Sequence, residues 1–569
     1  IMLATIRLFA MTLVALFSIK TTNDSGLLSS RKLSIEDKLI SCSPPRFHSG
    51  KGKSDFDKPP ILPGWGHHHY SVSTRSDSAQ LYFDQGLSMY YSYHPNEAIA
   101  SFQASAKLDP HCAMAYWGQA LAMGPIYNGT GYSEPDDLSP VLDKLKTAAL
   151  DASSTERDLI HTLLVRYEAF KMSGSKHNMD DQYAKALQQL IKKYPADVEI
   201  KVLYVDAVML EHAWDFWDKE GEPKEWTPEL LDLCKQILVK ENAHPGALHY
   251  QIHLCEASRH PEIGLHSADV LKQEMPGVPH MVHMTSHMYE RNGYFDLAVD
   301  VNERAIANST NYSVLGGEGF GGGADLHYRA VETVAAMNAG MYKKAMELAS
   351  ACRRAFSSAS SIYAAQYILL PTFVSVRLGK WNEILETYTD ASSTYTSIMV
   401  AFAKGLASVR KNNIPSARSH LDQISFLSSK SELRIPDLPL MDSPIKAVSV
   451  AHKLLEAEIL ASENNIAGAI ASFKDAIRFE DEMVFYQPRN WLIPARQYLG
   501  AFLLKSGKIE EAMHCYEEDL ERNPGNGWSQ IGIYQCLMKK GEPVKAEAYQ
   551  KKYRKIFAKA ELIPEASVY

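Results

Sequence analysis

The sequence predicts an all-α fold, a right-handed superhelical solenoid built from antiparallel helix pairs. Three observations lead to this prediction. From about residue 78 nearly every segment has helical periodicity, and no run alternates convincingly as a strand would. A spacing of small and large side chains recurs along the chain. The length of 569 residues is also too great for one simple core, unless that core is made of repeats.

The repeating unit is clearest between residues 86 and 110. Its spaced positions are Gly86, Ala98, Phe102 and Pro110. The same spacing recurs as Gly500, Ala512, Tyr516 and Pro524, again as Gly405, Ala417 and Leu421, and partly as Ala469, Phe473 and Ala476. Two antiparallel helices that cross closely need a small residue on each helix at the crossing point, and large side chains fill the space between neighbouring pairs. The spacing therefore predicts a row of helix pairs.

This unit resembles the tetratricopeptide repeat, a helix pair with a period of about 34 residues, although the Trp-x-x-Leu-Gly start is degenerate here. The resemblance implies a superhelix on the order of a dozen helix pairs long, whose first helices line a concave groove.

Several blocks within residues 65–380 also resemble a family of secreted or periplasmic tetratricopeptide-repeat proteins known mostly from bacterial genomes. The matching blocks are residues 79–93, 98–125, 214–230, 244–271 and 279–306. This resemblance implies the fold and a shared histidine-rich centre, but it names no reaction. The string His67, His68 and His69 departs from the family pattern.

We divide the chain into four segments. Residues 1–26 are a signal-like apolar segment, because one Arg is followed by an apolar run too short to span a membrane. Residues 27–77 are an extended lead-in rich in Ser, Lys, Pro and Gly. Residues 78–390 are a tetratricopeptide-like solenoid that contains the histidine-rich centre, and residues 391–569 are C-terminal repeats of the same type.

The apolar N-terminus predicts a secreted protein, extracellular or periplasmic, with no membrane span in the mature chain. Sequons of the form N-x-S/T give this prediction modest support, because they would be glycosylated on export. They begin at Asn23, Asn128, Asn308 and Asn311.

Composition and short motifs argue against several functional classes. The net charge of −8 gives no electrostatic support for nucleic-acid binding. None of the seven cysteines forms a C-x-x-C pair, which argues against zinc fingers and thioredoxin-like chemistry and favours buried free thiols. The glycine-rich residues 314–330 lack GK[ST] and follow no strand, so they are a linker or a mobile flap rather than a phosphate-binding loop.

Two histidine-rich stretches carry the functional signal. His249, His253 and Glu256 are spaced to share one face of a helix. A second group with helical spacing consists of His280, His283 and His287. In a repeat array the first helices of successive pairs stand side by side, so we expect the two faces to converge on the concave wall.

We predict a metal site formed by His249, His253, Glu256 and His287, with Glu256 as a possible catalytic base. Lesser candidates for ligands are His280, His283 and His327. Imidazole and carboxylate together suit zinc, iron, copper or manganese. The spacing is not the HExxH motif of zinc proteases. A structural polar network, or a groove for an anionic or peptide ligand, would use the same residues.

These patterns leave several functions open. The first is a secreted scaffold that binds protein or peptide partners and holds a metal in its groove. The second is a metal-dependent enzyme that uses the His/Glu centre. The third is a structural protein that assembles head to tail into a homo-oligomer or filament. Aromatic and acidic residues mixed within 211–226 suit a carbohydrate or peptide surface, or an exposed end of the array.

Overall fold

The computed structural model of the protein describes residues 59–569, apart from 129–131, 317–319, 322–323, 360, 388–391, 438–441 and 562. Over these residues the chain forms 24 α-helices and short 3₁₀ turns, and the described part contains no β-strand beyond one isolated bridge between Trp217 and Pro223. The predicted signal-like segment and the sequon at Asn23 lie outside the described residues.

The helices of the N-terminal half begin at Asp77, one residue before the predicted start of the solenoid. They are α1 (Asp77–Tyr91), α2 (Pro95–Leu108), α3 (Ala113–Met123), α4 (Leu138–Ala148), α5 (Ser154–Ser173), α6 (Lys176–Lys193), α7 (Val198–Glu211), α8 (Thr227–Lys240), α9 (Pro245–Glu256), α10 (Leu265–Glu274), α11 (Pro279–Arg291) and α12 (Phe295–Gly316).

The helices of the C-terminal half continue the same alternation. They are α13 (Asp325–Asn338), α14 (Tyr342–Arg354), α15 (Ile362–Arg377), α16 (Trp381–Thr387), α17 (Thr394–Arg410), α18 (Ile414–Leu427), α19 (Ile445–Ser462), α20 (Ile466–Asp481), α21 (Ala495–Lys505), α22 (Ile509–Arg522), α23 (Gly527–Lys539) and α24 (Pro543–Ile556).

Consecutive helices pack as pairs, and the odd-numbered first helices also contact one another from pair to pair. The array is a tetratricopeptide-type α-solenoid, as the repeated spacing predicts. Apolar packing runs through the predicted boundary at residue 390, since Leu369 and Phe373 of α15 share a core with Ile398 and Phe402 of α17.

The crossing points explain why the spacing recurs. The ring of Phe102 lies between Gly86 and Gly118, where an added Cβ would come within 2.8 and 2.4 Å of that ring. Tyr516 lies in the same way between Gly500 and Gly532, at 2.6 and 2.3 Å. Both aromatic residues are fully buried. Each aromatic ring thus serves as a wedge that two first helices can accommodate only with glycine at the contact.

The seven first helices from α11 to α23 end in a common turn. Two residues after the helix end, the backbone has a positive φ, the left-handed conformation that favours Gly and Asn. The residues in this position are Gly293, Gly340, Gly379, Asn412, Asn464, Gly507 and Gly541. Helix α1 has a positive φ at the same position, but the residue there is Tyr93, with a φ of 56°.

The superhelix closes on itself. Helix α1 packs directly on α9, and the lead-in before α1 is held to the turn between α10 and α11 by a hydrogen bond from the Gly277 amide to the Gly64 carbonyl (3.2 Å). At the other end Arg291 donates to the Arg522 carbonyl (2.9 Å), across 231 residues. The described residues of the two halves therefore face each other across the predicted concave groove.

The C-terminal residues dock on their own chain. Arg410 donates to the Tyr569 carbonyl (2.8 Å), and the Tyr569 side chain lies against Gly379. Head-to-tail assembly stays a prediction. The surface around Gly379 and Arg410 is already covered by Tyr569 of the same chain.

The described cysteines are free and buried. They are Cys112, Cys234, Cys255, Cys352, Cys515 and Cys536. No helix in the described part of the chain combines the length and the apolar character that crossing a membrane requires.

We expect Phe102→Ala to lower the free energy of unfolding by about 3–5 kcal/mol, because it empties a fully buried wedge between two helices. The matched control is Phe426→Ala, at a ring that is 70% exposed, where the expected change is within about 0.5 kcal/mol. Urea denaturation followed by circular dichroism measures both. Equal losses in the two variants would contradict the role of Phe102 as a wedge.

Candidate metal centre

The centre is built on two neighbouring first helices, α9 and α11. Each begins with proline, which is pre-organised for the first helical position. Every residue of α9 is buried, because α1, α7, α8, α10 and α11 all pack around it. Imidazoles on this helix therefore have no solvent to satisfy them, and their hydrogen bonds must come from the protein.

The first triad is formed by His249, His253 and His280. Their potential ligand atoms lie within 4.8 Å of one another. The Nδ1 of His249 donates to the backbone carbonyl of Tyr91 (2.6 Å). The Nδ1 of His253 lies 2.9 Å from Glu256 Oε1. The Nε2 atoms of His249 and His280 are 3.0 Å apart.

The second triad is formed by His283, His287 and His327, again with potential ligand atoms within 4.8 Å. The Nδ1 of His283 donates to Asn302 Oδ1 (2.6 Å). The Nδ1 of His287 lies 2.5 Å from Glu256 Oε2. The Nε2 atoms of His283 and His287 are 3.0 Å apart. His327 lies near the start of α13, the next first helix, as the sequence predicts.

Glu256 connects the two triads. One oxygen accepts from His253 and the other from His287. Burial acts to raise the pKa of this carboxyl, but the facing imidazoles outweigh it and hold the pKa well below its usual range. A carboxylate with a lowered pKa is a weak base. Its two contacts instead suit a hydrogen-bond acceptor that orients the imidazoles of His253 and His287.

The hydrogen bonds select the nitrogen that each ring offers to a ligand. With Nδ1 occupied in four of the rings, Nε2 is the remaining lone-pair position. The Nε2 of His253 is buried and has no hydrogen-bond partner among the described residues. Metal-binding histidines in proteins have this arrangement, with the second ring nitrogen donating to a carboxylate or carbonyl that fixes the ring.

Burial also keeps most of the rings uncharged. It lowers the pKa of His249, His280 and His283 well below the usual value, and neighbouring imidazoles add to the effect. The pKa of His327 falls to about 3, chiefly through burial and then through His287. Neutral imidazole is the form that binds a metal ion.

Tyr93 covers the first triad. Its ring centroid lies 4.5 Å from that of His249, 5.7 Å from His253 and 5.5 Å from His280. A bulky residue in the left-handed region costs on the order of 1–2 kcal/mol. Its hydroxyl is buried without a hydrogen-bond partner in the described residues. Strain and an unsatisfied hydroxyl in one side chain point to a role at this centre.

A cavity of about 490 Å³ opens beside the centre, and His253 and Glu256 form part of its wall. Trp214 and Trp217, from the predicted aromatic and acidic stretch, line another part. The C-terminal half contributes the opposite wall, including Trp491. The first triad therefore has a route to a ligand-sized space.

Arg291 stands at the edge of this cavity with its cation buried. It donates to the carbonyls of Glu256 (2.9 Å), Ser258 (2.7 Å) and Arg522, so its hydrogen-bond partners are neutral. Burial, together with Arg489, lowers its pKa to about 9. This arginine joins the end of α9 to the C-terminal half.

The predicted site residues all lie in or beside one buried cluster, but their grouping differs from the predicted one. The predicted set placed His287 with His249 and His253, whereas the structure places His280 there and groups His287 with His283 and His327. Their role as ligands stays a prediction.

Sequence reasoning did not find Tyr91, Tyr93 or Asn302. The first contributes a backbone carbonyl, which no side-chain pattern reveals. For Tyr93 a signal was available, because the same turn position holds Gly or Asn after other first helices.

The other predicted features are scattered. Asn128 is 3% exposed, which counts against a glycan there, whereas Asn308 and Asn311 lie on α12, Asn308 partly exposed and Asn311 exposed. In the glycine-rich stretch the Gly321 amide donates to Glu97 Oε1 (2.6 Å). His68, from the string that departs from the family, lies with His244 on one oxygen of Glu199, at 3.2 and 3.4 Å.

No protein-family model matches the chain, and no curated protein matches it with significance. Among solved structures it is similar to the human IFIT1 dimer with PPP-AAAA, at 12% identity over 85% of this chain and 92% of that chain, with a TM-score of 0.28. A monomeric IFIT1 mutant with m7Gppp-AAAA gives 10% identity, 85% and 92% coverage and a TM-score of 0.35. The TPR domain of P58(IPK) is 12% identical over 84% of this chain and 99% of that chain, with a TM-score of 0.22. At these TM-scores the fold assignment rests on the helix pairs of this chain itself.

We expect Tyr93→Phe to stabilise the metal-free protein by about 1 kcal/mol, because a buried hydroxyl without a partner costs about 1–3 kcal/mol. The matched control is Tyr167→Phe, which removes a hydroxyl that donates to the Ala120 carbonyl (2.5 Å) and should cost about 1 kcal/mol. Urea denaturation compares the two. A loss at Tyr93 equal to that at Tyr167 would show that the Tyr93 hydroxyl is satisfied after all.

Proposed function

We propose that this protein is a tetratricopeptide-type solenoid that binds a first-row transition metal ion at His249, His253 and His280. The observation that carries the proposal is the pair of Nδ1 contacts of His249 and His253, which turn the Nε2 atoms of these two rings toward a compact triad with His280. A purely structural network would be expected to satisfy every buried ring nitrogen, and the Nε2 of His253 has no partner among the described residues.

The donor set narrows the choice of metal. Three neutral imidazoles suit zinc, copper or iron, while manganese prefers oxygen donors. Two nitrogens 3.0 Å apart subtend about 91–97° at an ion with metal–nitrogen distances of about 2.0–2.1 Å. Three protein ligands leave a coordination position for water or another molecule, as catalytic rather than structural zinc sites do.

A second candidate is metal-dependent catalysis in the cavity. It is favoured by the position of His253 in the cavity wall, since an ion at the first triad would be reachable from a space of about 490 Å³. Within this proposal Glu256 orients two imidazoles and is not the base, and Arg291 offers a fixed positive charge toward an anionic part of a substrate. Binding of a protein or peptide partner is a further function that the tetratricopeptide-type array supports.

We expect purified protein to contain a transition metal that is lost in the double variant His249→Ala, His253→Ala. His280→Gln is the milder second variant, since it keeps much of the side-chain volume and removes the imidazole. The matched control is His260→Ala, on an imidazole that is 70% exposed close to the same helix. Elemental analysis by mass spectrometry gives the metal content, and circular dichroism checks the fold.

The outcome against this proposal is specific. Protein that is folded but binds no zinc, copper or iron after reloading would overturn it. Metal content that is unchanged in folded His280→Gln would place the ion elsewhere.

A further inference from the structure

We propose that the second triad, His283, His287 and His327, binds a second transition metal ion, so that the centre holds a pair. This goes beyond the proposed function, because it assigns a different set of ligands on different helix turns. All three imidazoles are buried, and their potential ligand atoms cluster within 4.8 Å as those of the first triad do.

The second triad also contains two rings that are fixed through Nδ1. His283 is fixed by an amide oxygen and His287 by a carboxylate oxygen, each through Nδ1. The Nε2 atoms of these two rings are 3.0 Å apart, the same separation as in the first triad. The geometry that supports one ion therefore supports the other.

The two positions are adjacent but distinct. The ring centroids of His280 and His283, one from each triad, are 6.2 Å apart on consecutive turns of α11. Glu256 contacts both triads through separate oxygens, so its carboxylate lies between His253 of the first triad and His287 of the second. One residue thus orients a ligand of each ion.

Repulsion between two ions would make the second one bind more weakly than the first. Two dications in this buried space would share the single carboxylate of Glu256, and like charges at short range repel strongly where water is excluded. We therefore expect two binding steps, with the second ion held more weakly than the first. The first triad is the stronger candidate for the first step, since it has the route from the cavity.

The test is a titration of metal-depleted full-length protein with Co²⁺ and with Cu²⁺, following absorbance and electron paramagnetic resonance. We expect two equivalents per chain, with interaction between the paired Cu²⁺ ions broadening or removing the signal of the singly loaded protein. His327→Ala should bind one equivalent and keep the uncoupled Cu²⁺ signal. The exposed control His260→Ala should still bind two.

A gentler variant separates ligation from folding. Asn302→Ala removes only the acceptor of the His283 Nδ1–H, and loss of such an outer contact typically weakens metal binding about 10–100-fold. We expect this loss in the second step alone. Glu256→Gln replaces the carboxylate by one neutral oxygen and one NH₂ group. One ring then keeps only a weaker acceptor and the other ring loses its acceptor, so both binding steps should weaken.

The results distinguish this inference from the proposed function. One equivalent in the wild type, lost in His280→Gln and unaffected by His327→Ala or Asn302→Ala, would overturn the second site and leave the first. No bound metal in any folded protein would overturn both. Two equivalents that show no change in the Asn302 or His327 variants would also refute the assignment of the second site.

Discussion

The arrangement of the centre depends on one buried carboxylate. Glu256 is the last residue of α9, and its two oxygens hold His253 on the same helix and His287 on the next first helix. Removing a charge from water is costly unless it is paired, so the carboxylate requires both imidazoles to face it. This requirement fixes the rotation of α9 against α11, and with it the direction of every other histidine on these helices.

The repeat supplies the framework in which that contact is possible. Wedges such as Phe102 between glycines set the spacing of first helices, and successive first helices then stand side by side. Three of them, α9, α11 and α13, carry all six imidazoles, and the turn after α1 places Tyr93 over the first triad. A solenoid is well suited to this, because each helix presents one face to the inside and the chemistry can be spread over several repeats.

The helical class and the pairing could be predicted because small residues at crossings leave a spacing that is visible in the sequence. The histidine faces could be predicted because α9 and α11 are regular helices. Which imidazoles share a triad could not be predicted, since this depends on the axial offset between helices, and a shift of about two turns exchanges His280 for His287. The contact from Tyr91 was also out of reach, because only the superhelical turn brings α1 against α9. Asn302 lies on α12, which pairs with α11, and its contact depends on side-chain directions within that pair that the spacing of residues does not reveal.

The contacts that close the superhelix affect how cooperatively the array unfolds. An open solenoid has only neighbour contacts, so its terminal repeats can fray while the middle stays folded. Here α1 rests on α9, and Arg291 connects the end of α11 to a carbonyl 231 residues away. Fraying at either terminus would therefore remove contacts in the middle of the chain, which ties both ends into one cooperative unit. The same closure lowers the expected folding rate, because contacts between residues this distant in sequence slow folding.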